Sequence, residues 1–409
     1  MTYRKFKADY LYLGDRMAEG DNVLITNAEG VVQSVVSGGE AGEGVEEYEG
    51  LLCPGFVNCH CHLELSHLKG VIPEGTGLVD FLSMVMLWRR RPMDEEDLIG
   101  RIKQAIVAGE QEMLVNGIVA VGDICNTPDT AGQKKAGRIR YHNFIETMGF
   151  IEQSAESRFW QSHRIFCGFA KDSELPIEAN SIVPHAPYSV SPGLLRRVVD
   201  FPGNRLMTIH NQETEAENEF LETGKGDFLR LYAQLGLDVS FFRGTGKRSL
   251  ASILPYFHHN QSLILVHNVA TAGQDLGWAA GEGGGQAGLG RTGPEQIFCL
   301  CPNANLYIGG KLPDVRLLVE RGCRIVVGTD SLASNHGLSI LAELKTLQNA
   351  FPWLETATLL GWATSAGAGA LQMDKVFGSF GEGKIPGVLL LEGLKGGRLA
   401  AGTTVRRLI

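Results

Sequence analysis

Between about residues 52 and 371 the chain repeats one pattern. A short apolar run ends in polar residues, and a longer segment with helical spacing follows. Candidate strands are FVNCHCHL, IVAVGDI, RIRYHNFIE, HRIFCGFA, NSIVPHAP, LMTIHNQET, SLILVHNV, QIFCLCP and CRIVVGTD, and candidate helices cover 94–116, 192–200, 214–223, 226–235, 247–256, 313–321 and 338–350. Strands that alternate with helices pair in parallel, because each crossover returns the chain to the same end of the sheet. Eight or nine such units over roughly 310 residues predict a closed (β/α)8 TIM barrel of the α/β class. A doubly wound open sheet is the alternative. In a barrel, the C-terminal ends of the strands carry the active site.

The two ends of the chain have a different texture. YLYL, NVLITN and VVQSVV near the start, and VFGSFGEGKIPGVLLLEG near the end, read as short strands with turns. They predict a small β-sandwich domain built from residues 1–53 and 372–409, beside a barrel over 54–371. With 44% hydrophobic and 20% charged residues, the 409-residue chain can build a large core. A net charge of −9 argues against a nucleic-acid or anionic-membrane partner and leaves a small-molecule substrate as the expectation. No apolar run reaches the roughly 18 residues of a membrane span. MTYRKFKADYLYLGD lacks the apolar stretch of a secretory signal, so a cytoplasmic location is expected. Eight cysteines are too dilute for a disulfide framework.

A Gly-rich segment over 271–293 contains a literal G-x-G-x-x-G at Gly288, Gly290 and Gly293. A dinucleotide fingerprint follows a strand and opens a helix. This one follows a glycine run and precedes a strand, so it reads as a surface loop.

The stretch VNCHCHLEL places Cys59, His60, Cys61 and His62 in one strand. Successive side chains of a strand point to opposite faces, so His60 and His62 share one face and Cys59 and Cys61 the other. The two pairs cannot serve one site. A thiolate site would also need Cys299 and Cys301, but structural zinc sites favour tighter C-x2-C knuckles, and helix-facing packing suits all four. The histidines find partners at later strand ends: His210 in TIHNQET, His267 in LVHN and Asp330 in VVGTDS. A single strand-end histidine is commonly a packing residue. A His/His/His/Asp set instead suits one divalent ion, zinc or iron(II).

The same residues carry a family resemblance. PGFVNCHCHLELS resembles the opening block of the amidohydrolase superfamily. PHAPYSVSP, IHNQETEAE, LVHN, CPNANLYIGGKLP and VVGTDSLASN resemble later blocks of its cytosine deaminase, triazine hydrolase and guanine deaminase branch, in the family's order. The resemblance implies a metal-dependent hydrolytic deaminase. It implies His60, His62, His210 and Asp330 as metal ligands, with Asp330 also accepting a proton from water. Glu213, at the H-x-x-E position, would shuttle protons; a helix N-terminal acid is its plainer reading. His267 would assist at the reacting group, and His185 would contact substrate. Binuclear branches use a lysine on the fourth strand. Lys171 is the only lysine near that region, in a polar turn, which favours one metal. Relatives are commonly dimeric, so a homodimer is a possible assembly.

HLELS followed by GLVDFLSMVMLWRRR resembles the aminodeoxyfutalosine deaminases of menaquinone biosynthesis. These remove the 6-amino group of an adenine nucleoside bearing a benzoate, here 6-amino-6-deoxyfutalosine. A benzoate needs a cation, and Arg89 or Arg90 is the candidate, although a solvated helix end is the plainer reading of that run. Glu64 shares the face of His60 and His62 by strand parity; it either contacts substrate or pairs with Lys69 or an arginine. The alternatives are another nucleobase or pterin deaminase, a chlorohydrolase, a binuclear amide hydrolase, or an inactive scaffold.

Overall fold

The computed structural model describes residues 2–89, 95–172, 179–279 and 293–409. Arg90 and most of the Gly-rich segment, Gly288 and Gly290 included, lie outside them.

Six strands form one sheet outside the barrel. They are β1 (Tyr3–Leu11), β2 (Asn22–Asn27), β3 (Val32–Ser37) and β4 (Val45–Pro54) from the N-terminal side, joined by two strands from the C-terminal end. Eight further strands build the barrel: β5 (Phe56–Cys61), β6 (Ile118–Cys125), β7 (Arg140–Thr147), β8 (Asn180–Pro184), β9 (Leu206–Asn211), β10 (Ser262–His267), β11 (Glu295–Leu300) and β12 (Arg324–Val327). The last two, β13 (Val388–Glu392) and β14 (Thr404–Arg407), return to the outer sheet, whose order is β14-β13-β4-β1-β2-β3. A core of Phe6, Leu24, Leu52, Phe380 and Leu390 holds this small domain together.

The barrel strands are parallel throughout and pair as two quartets, β5–β8 and β9–β12. Every residue of β6, IVAVGDIC, is buried, as expected for a strand covered on both faces. Two seams close the quartets into a barrel. At one, the amides of Thr329 and Asp330 donate to the His60 carbonyl at 3.0 Å. At the other, the His210 amide donates to the His185 carbonyl at 2.9 Å. Gly328 is required at the first seam. A Cβ there would lie 2.8 Å from the His60 Cβ and 2.9 Å from its backbone nitrogen and oxygen.

Eight of the nine candidate strands are barrel strands. The ninth is a correction: HRIFCGFA lies inside the helix Ala155–Asp172. Its short apolar run looks extended by itself. Over the described side chains of the segment the buried ones are Ala155, Phe159, Ser162, Phe166 and Phe169, the spacing of one helical face. No helix among the described residues is long and apolar enough to cross a membrane.

Candidate active site

The C-terminal ends of the strands meet at a cavity of about 320 Å³. His62, just after β5, lines it, and His60, two positions earlier, lies behind on the same face with its Nε2 3.2 Å from that of His62. Cys59 and Cys61 point away, fully buried, and the Cys59 sulfur lies 3.8 Å from the Gly367 carbonyl. Three clusters of metal-ligating groups occur among the described residues: His60/His62/Asp330, His60/His210/His267 and Glu146/His185/His210. None includes a cysteine.

The ring nitrogens converge. His62 Nε2 lies 3.2 Å from His60 Nε2, 3.3 Å from His210 Nε2 and 3.3 Å from Asp330 Oδ1. His60 Nε2 lies 3.5 Å from the same carboxylate oxygen. Burial holds His62 and His267 well below the usual histidine pKa and takes His210 down to about 4. These rings are therefore neutral. The His210 Nδ1–H donates to the His185 carbonyl at 2.8 Å, which leaves its Nε2 lone pair aimed at the cluster. Burial by itself would raise Asp330; the hydrogen bond with His60 and the nearby His62 and His267 outweigh it and keep it anionic. Ser334 donates to Asp330 Oδ2 at 2.6 Å and so turns Oδ1 toward the histidines.

Lone pairs packed this closely, with too few protons between them, need a cation. Tetrahedral zinc with nitrogen ligands at ~2.0–2.1 Å separates those ligands by roughly 3.3–3.4 Å. The four separations given lie close to that range, His60, His62 and Asp330 fall in one cluster and His210 stands against His62, so these residues could hold a divalent ion. Lys171 is exposed near the end of the helix Ala155–Asp172 rather than on a strand.

Backbone strain marks the same place. Five non-glycine residues among those described have positive φ, and four sit at barrel strand ends: Gln212 (46°), His267 (78°), Asn268 (60°) and Asp330 (56°). Each such residue costs on the order of 1–3 kcal/mol and persists only where its surroundings hold it. The Asn305 amide lies 2.9 Å from His267 Nδ1; as donor there, it leaves Nε2–H facing the cavity. That nitrogen is 3.7 Å from Glu213 Oε1. Burial, then the charges of Asp330 and Glu217, hold Glu213 well above the usual carboxyl pKa, which favours its protonated form.

His185 lines the cavity, with Nδ1 2.8 Å from the Ser189 hydroxyl. Glu64 is placed differently. Its Oε2 accepts from the amides of Asn126 (2.9 Å) and Thr127 (3.0 Å) and from the Thr127 hydroxyl (3.1 Å), so it braces the loop after β6 and is absent from the cavity wall. Lys69 pairs with Glu112 at 3.1 Å. Arg89 ends the helix Leu78–Arg89, whose Phe81, Leu82, Val85 and Met86 form one apolar wall of the cavity. The Arg89 side chain lies outside what is described; among the described residues, the cation that lines the cavity is Arg158. Sequence reading passed over it, as it did Asn305, Ser334 and Glu146. Arg158 lies in the segment beside the misread strand; once that segment is a helix, its N-terminal turns stand over the barrel mouth.

The fold and site define a metal-dependent hydrolase of the TIM-barrel kind. The chain belongs to the amidohydrolase family, whose profile matches residues 51–402, and it is a hydrolase of carbon–nitrogen bonds of the deaminase type. An adenosine deaminase of Helicobacter pylori is 27% identical over 79% of this chain and 75% of its own. An aminodeoxyfutalosine deaminase of Nitratiruptor sp. is 25% identical over the same shares. The crystal structure of the Helicobacter pylori aminofutalosine deaminase with methylthio-coformycin superposes with a TM-score of 0.78 at 21% identity, covering 97% of this chain and 93% of that one.

Proposed function

We propose that the protein hydrolyses the exocyclic amino group of an adenine-type nucleoside and releases ammonia, with 6-amino-6-deoxyfutalosine as the first candidate substrate. The observation that carries this reading is a Glu213 side chain, 7% exposed and facing His267, beside the clustered His60, His62, His210 and Asp330 in an apolar cavity. His60, His62, His210 and Asp330 would hold a divalent ion, which would supply Lewis-acid chemistry that lowers the pKa of water toward ~7.

The chain's own groups do the rest. Asp330 is anionic and takes the proton of the attacking water. Glu213 gives its proton to the ring nitrogen and makes the amidine carbon electrophilic; general acid–base help of this kind is worth about 10²–10⁴-fold. The Nε2–H of His267 stabilises the oxygen as it bonds to that carbon. Protons reach the departing amine through Glu213. His185, beside the cluster, contacts the ring or sugar.

The walls support a nucleoside with an apolar substituent over a free base. Phe81, Val85, Phe150, Leu231, Tyr232 and Leu235 surround a space that a small polar base leaves empty. Arg158 gives that space a cation for a carboxylate. The names of the relatives support the same class. Some are 5-methylthioadenosine/S-adenosylhomocysteine deaminases, such as that of Teredinibacter turnerae, 25% identical over 84% of this chain and 72% of its own. The apolar walls suit a thioether too, which makes 5′-methylthioadenosine the second candidate.

The test is ammonia release by zinc- or iron(II)-loaded protein from 6-amino-6-deoxyfutalosine, 5′-methylthioadenosine, adenosine, guanine and cytosine, with Arg158→Met in parallel. Turnover of the first compound at a kcat/KM at least tenfold above the others is expected. Arg158→Met should lower that value about tenfold while leaving 5′-methylthioadenosine unaffected. Equal loss on both would remove Arg158 from carboxylate reading, and turnover of guanine or cytosine alone would overturn the nucleoside assignment.

A further inference from the structure

We propose that Glu217, buried behind the active site and touching none of the groups that bind the cation, is the residue that aims Glu213. The inference rests on the reading of Glu213 as the catalytic acid.

Glu213 does not stand on a regular element. It follows β9 through Gln212, whose φ of 46° turns the chain out of the strand, and it precedes the helix Glu215–Thr223. A left-handed turn at a glutamine is unstable unless held. Glu217 holds it. This side chain is fully buried, one oxygen accepts the Gln212 amide at 2.9 Å, and the other accepts the Glu213 amide at 3.3 Å. The Ser249 hydroxyl donates to the first oxygen, tying it to the short helix Ser249–Ile253. The residue sits three positions after the helix N-cap, Thr214, where a glutamate ordinarily reaches back to the cap's own amide. Here it reaches further, to the two residues before the cap. The grip falls on the catalytic turn and not on the helix end.

The rest of the turn is braced the same way. The Gln212 side chain bonds Asn218 at 2.9 Å and accepts from Thr271 at 2.8 Å, and its carbonyl accepts the Ala270 amide at 2.7 Å. Thr271 and Ala270 follow the strained His267–Asn268 pair. Glu217 is thus the centre of a buried network that sets the two groups facing the reacting carbon. A glutamine there offers an NH2 to one of the two amides, so one hydrogen bond is lost and the turn relaxes. Displacement of a reacting group by ~1 Å can cost about 10²-fold.

The experiment compares Glu213→Gln, Glu217→Gln and the double variant in full-length, metal-loaded protein. Ammonia release is followed from 6-amino-6-deoxyfutalosine or 5′-methylthioadenosine, whichever is turned over. Metal content and amide hydrogen exchange over residues 206–217 are measured alongside. Glu217→Gln should lower kcat at least tenfold, leave KM within twofold and metal content unchanged, and speed exchange at the Gln212 and Glu213 amides. The double variant should be no slower than Glu213→Gln, because Glu217 acts only through Glu213. A wild-type kcat for Glu217→Gln overturns the proposal, as does a loss that multiplies with that of Glu213→Gln. If Glu213→Gln itself keeps full activity, the acid reading fails, a different result in a different variant. Should Glu217→Gln not fold, Ser249→Ala, which removes one donor from the same carboxylate, should show the same pattern at smaller size.

Discussion

Two buried polar clusters lie either side of the strand pair β5–β6, and they are built on opposite rules. Behind the strands, the Lys134 ammonium reaches Asp123 at 2.5 Å and the Asn143 carbonyl oxygen at 2.7 Å, between the rings of Tyr141 and Phe169. Asp123 in turn accepts the Leu63 amide at 2.9 Å. Every charge there meets its opposite, and donors meet acceptors. In front, ring nitrogens of His60, His62 and His210 and an oxygen of Asp330 crowd together at 3.2–3.5 Å, with more acceptors than protons among them. Both clusters are buried and both contain a carboxylate. Only the front one is incomplete by its own chemistry, and that incompleteness separates a ligand site from a structural ion pair.

The contrast can be broken most strongly at His210. His210→Ala should abolish metal retention and lower turnover beyond the ~10⁴-fold that acid–base help alone supplies. Its cost in apo-protein stability should stay near the ~1 kcal/mol centre of point-mutant effects, because the ring's crowded lone pairs gain nothing without the ion. Metal analysis with chemical denaturation reads both; a large stability loss with metal retained would refute the contrast.

Lys134→Met is the converse. It leaves the Asp123 charge buried and unpaired, which costs about 3–5 kcal/mol, whereas removing both partners together is often near neutral. Denaturant midpoints of Lys134→Met and of Lys134→Met with Asp123→Leu decide it. Similar losses in the two proteins would mean that the pair is not the reason for the cost.

Glu343 sharpens the comparison at smaller scale. It is fully buried, accepts the Asn303 amide and the Asn335 side chain at 2.8 Å each, and has no cation among those partners. Burial pushes its pKa up to about 8. The folded protein therefore binds this proton more tightly than the unfolded chain does. Stability from this group is fully present below pH 4.5 and drains away as pH rises toward about 8. Glu343→Gln should flatten that slope in denaturation curves measured across the interval. An unchanged slope would show that Glu343 is ionised in the fold.

How much of this was legible in sequence depends on the range over which each feature is decided. The H-x-H parity is local: alternation along one strand put both histidines on one face, and the structure keeps them there. Strand ends were legible because each polar residue follows an apolar run, so His210, His267 and Asp330 could be placed in one ring. The helix Ala155–Asp172 was misread in part because eight residues were judged without their neighbours. Arg158 was hidden with it, since a residue on a crossing helix reaches the cavity by packing angle, which leaves no local mark. Strand parity could not place Glu64, because β5 ends at Cys61 and Glu64 lies in the short helix Leu63–Leu68, where its carboxylate is taken up by amides more than sixty positions away. The positive φ values had no signature at all. Glutamine, histidine, asparagine and aspartate replaced the glycine that would have announced them.

The seam at Gly328 has a consequence for assembly. Asn58 and Thr329, which bond across it, lie 271 positions apart, and His60 and Asp330 flank them. The first and last ligands meet only when the two ends of the barrel meet. A nascent or half-built chain carries the H-x-H pair without its carboxylate. Capture of an ion would therefore be tied to one of the long-range contacts of the barrel, 271 positions apart, the kind that forms late because its loop-closure entropy is large. A chain that retains metal has finished folding, and a partly synthesised or clipped one is marked by its inability to do so.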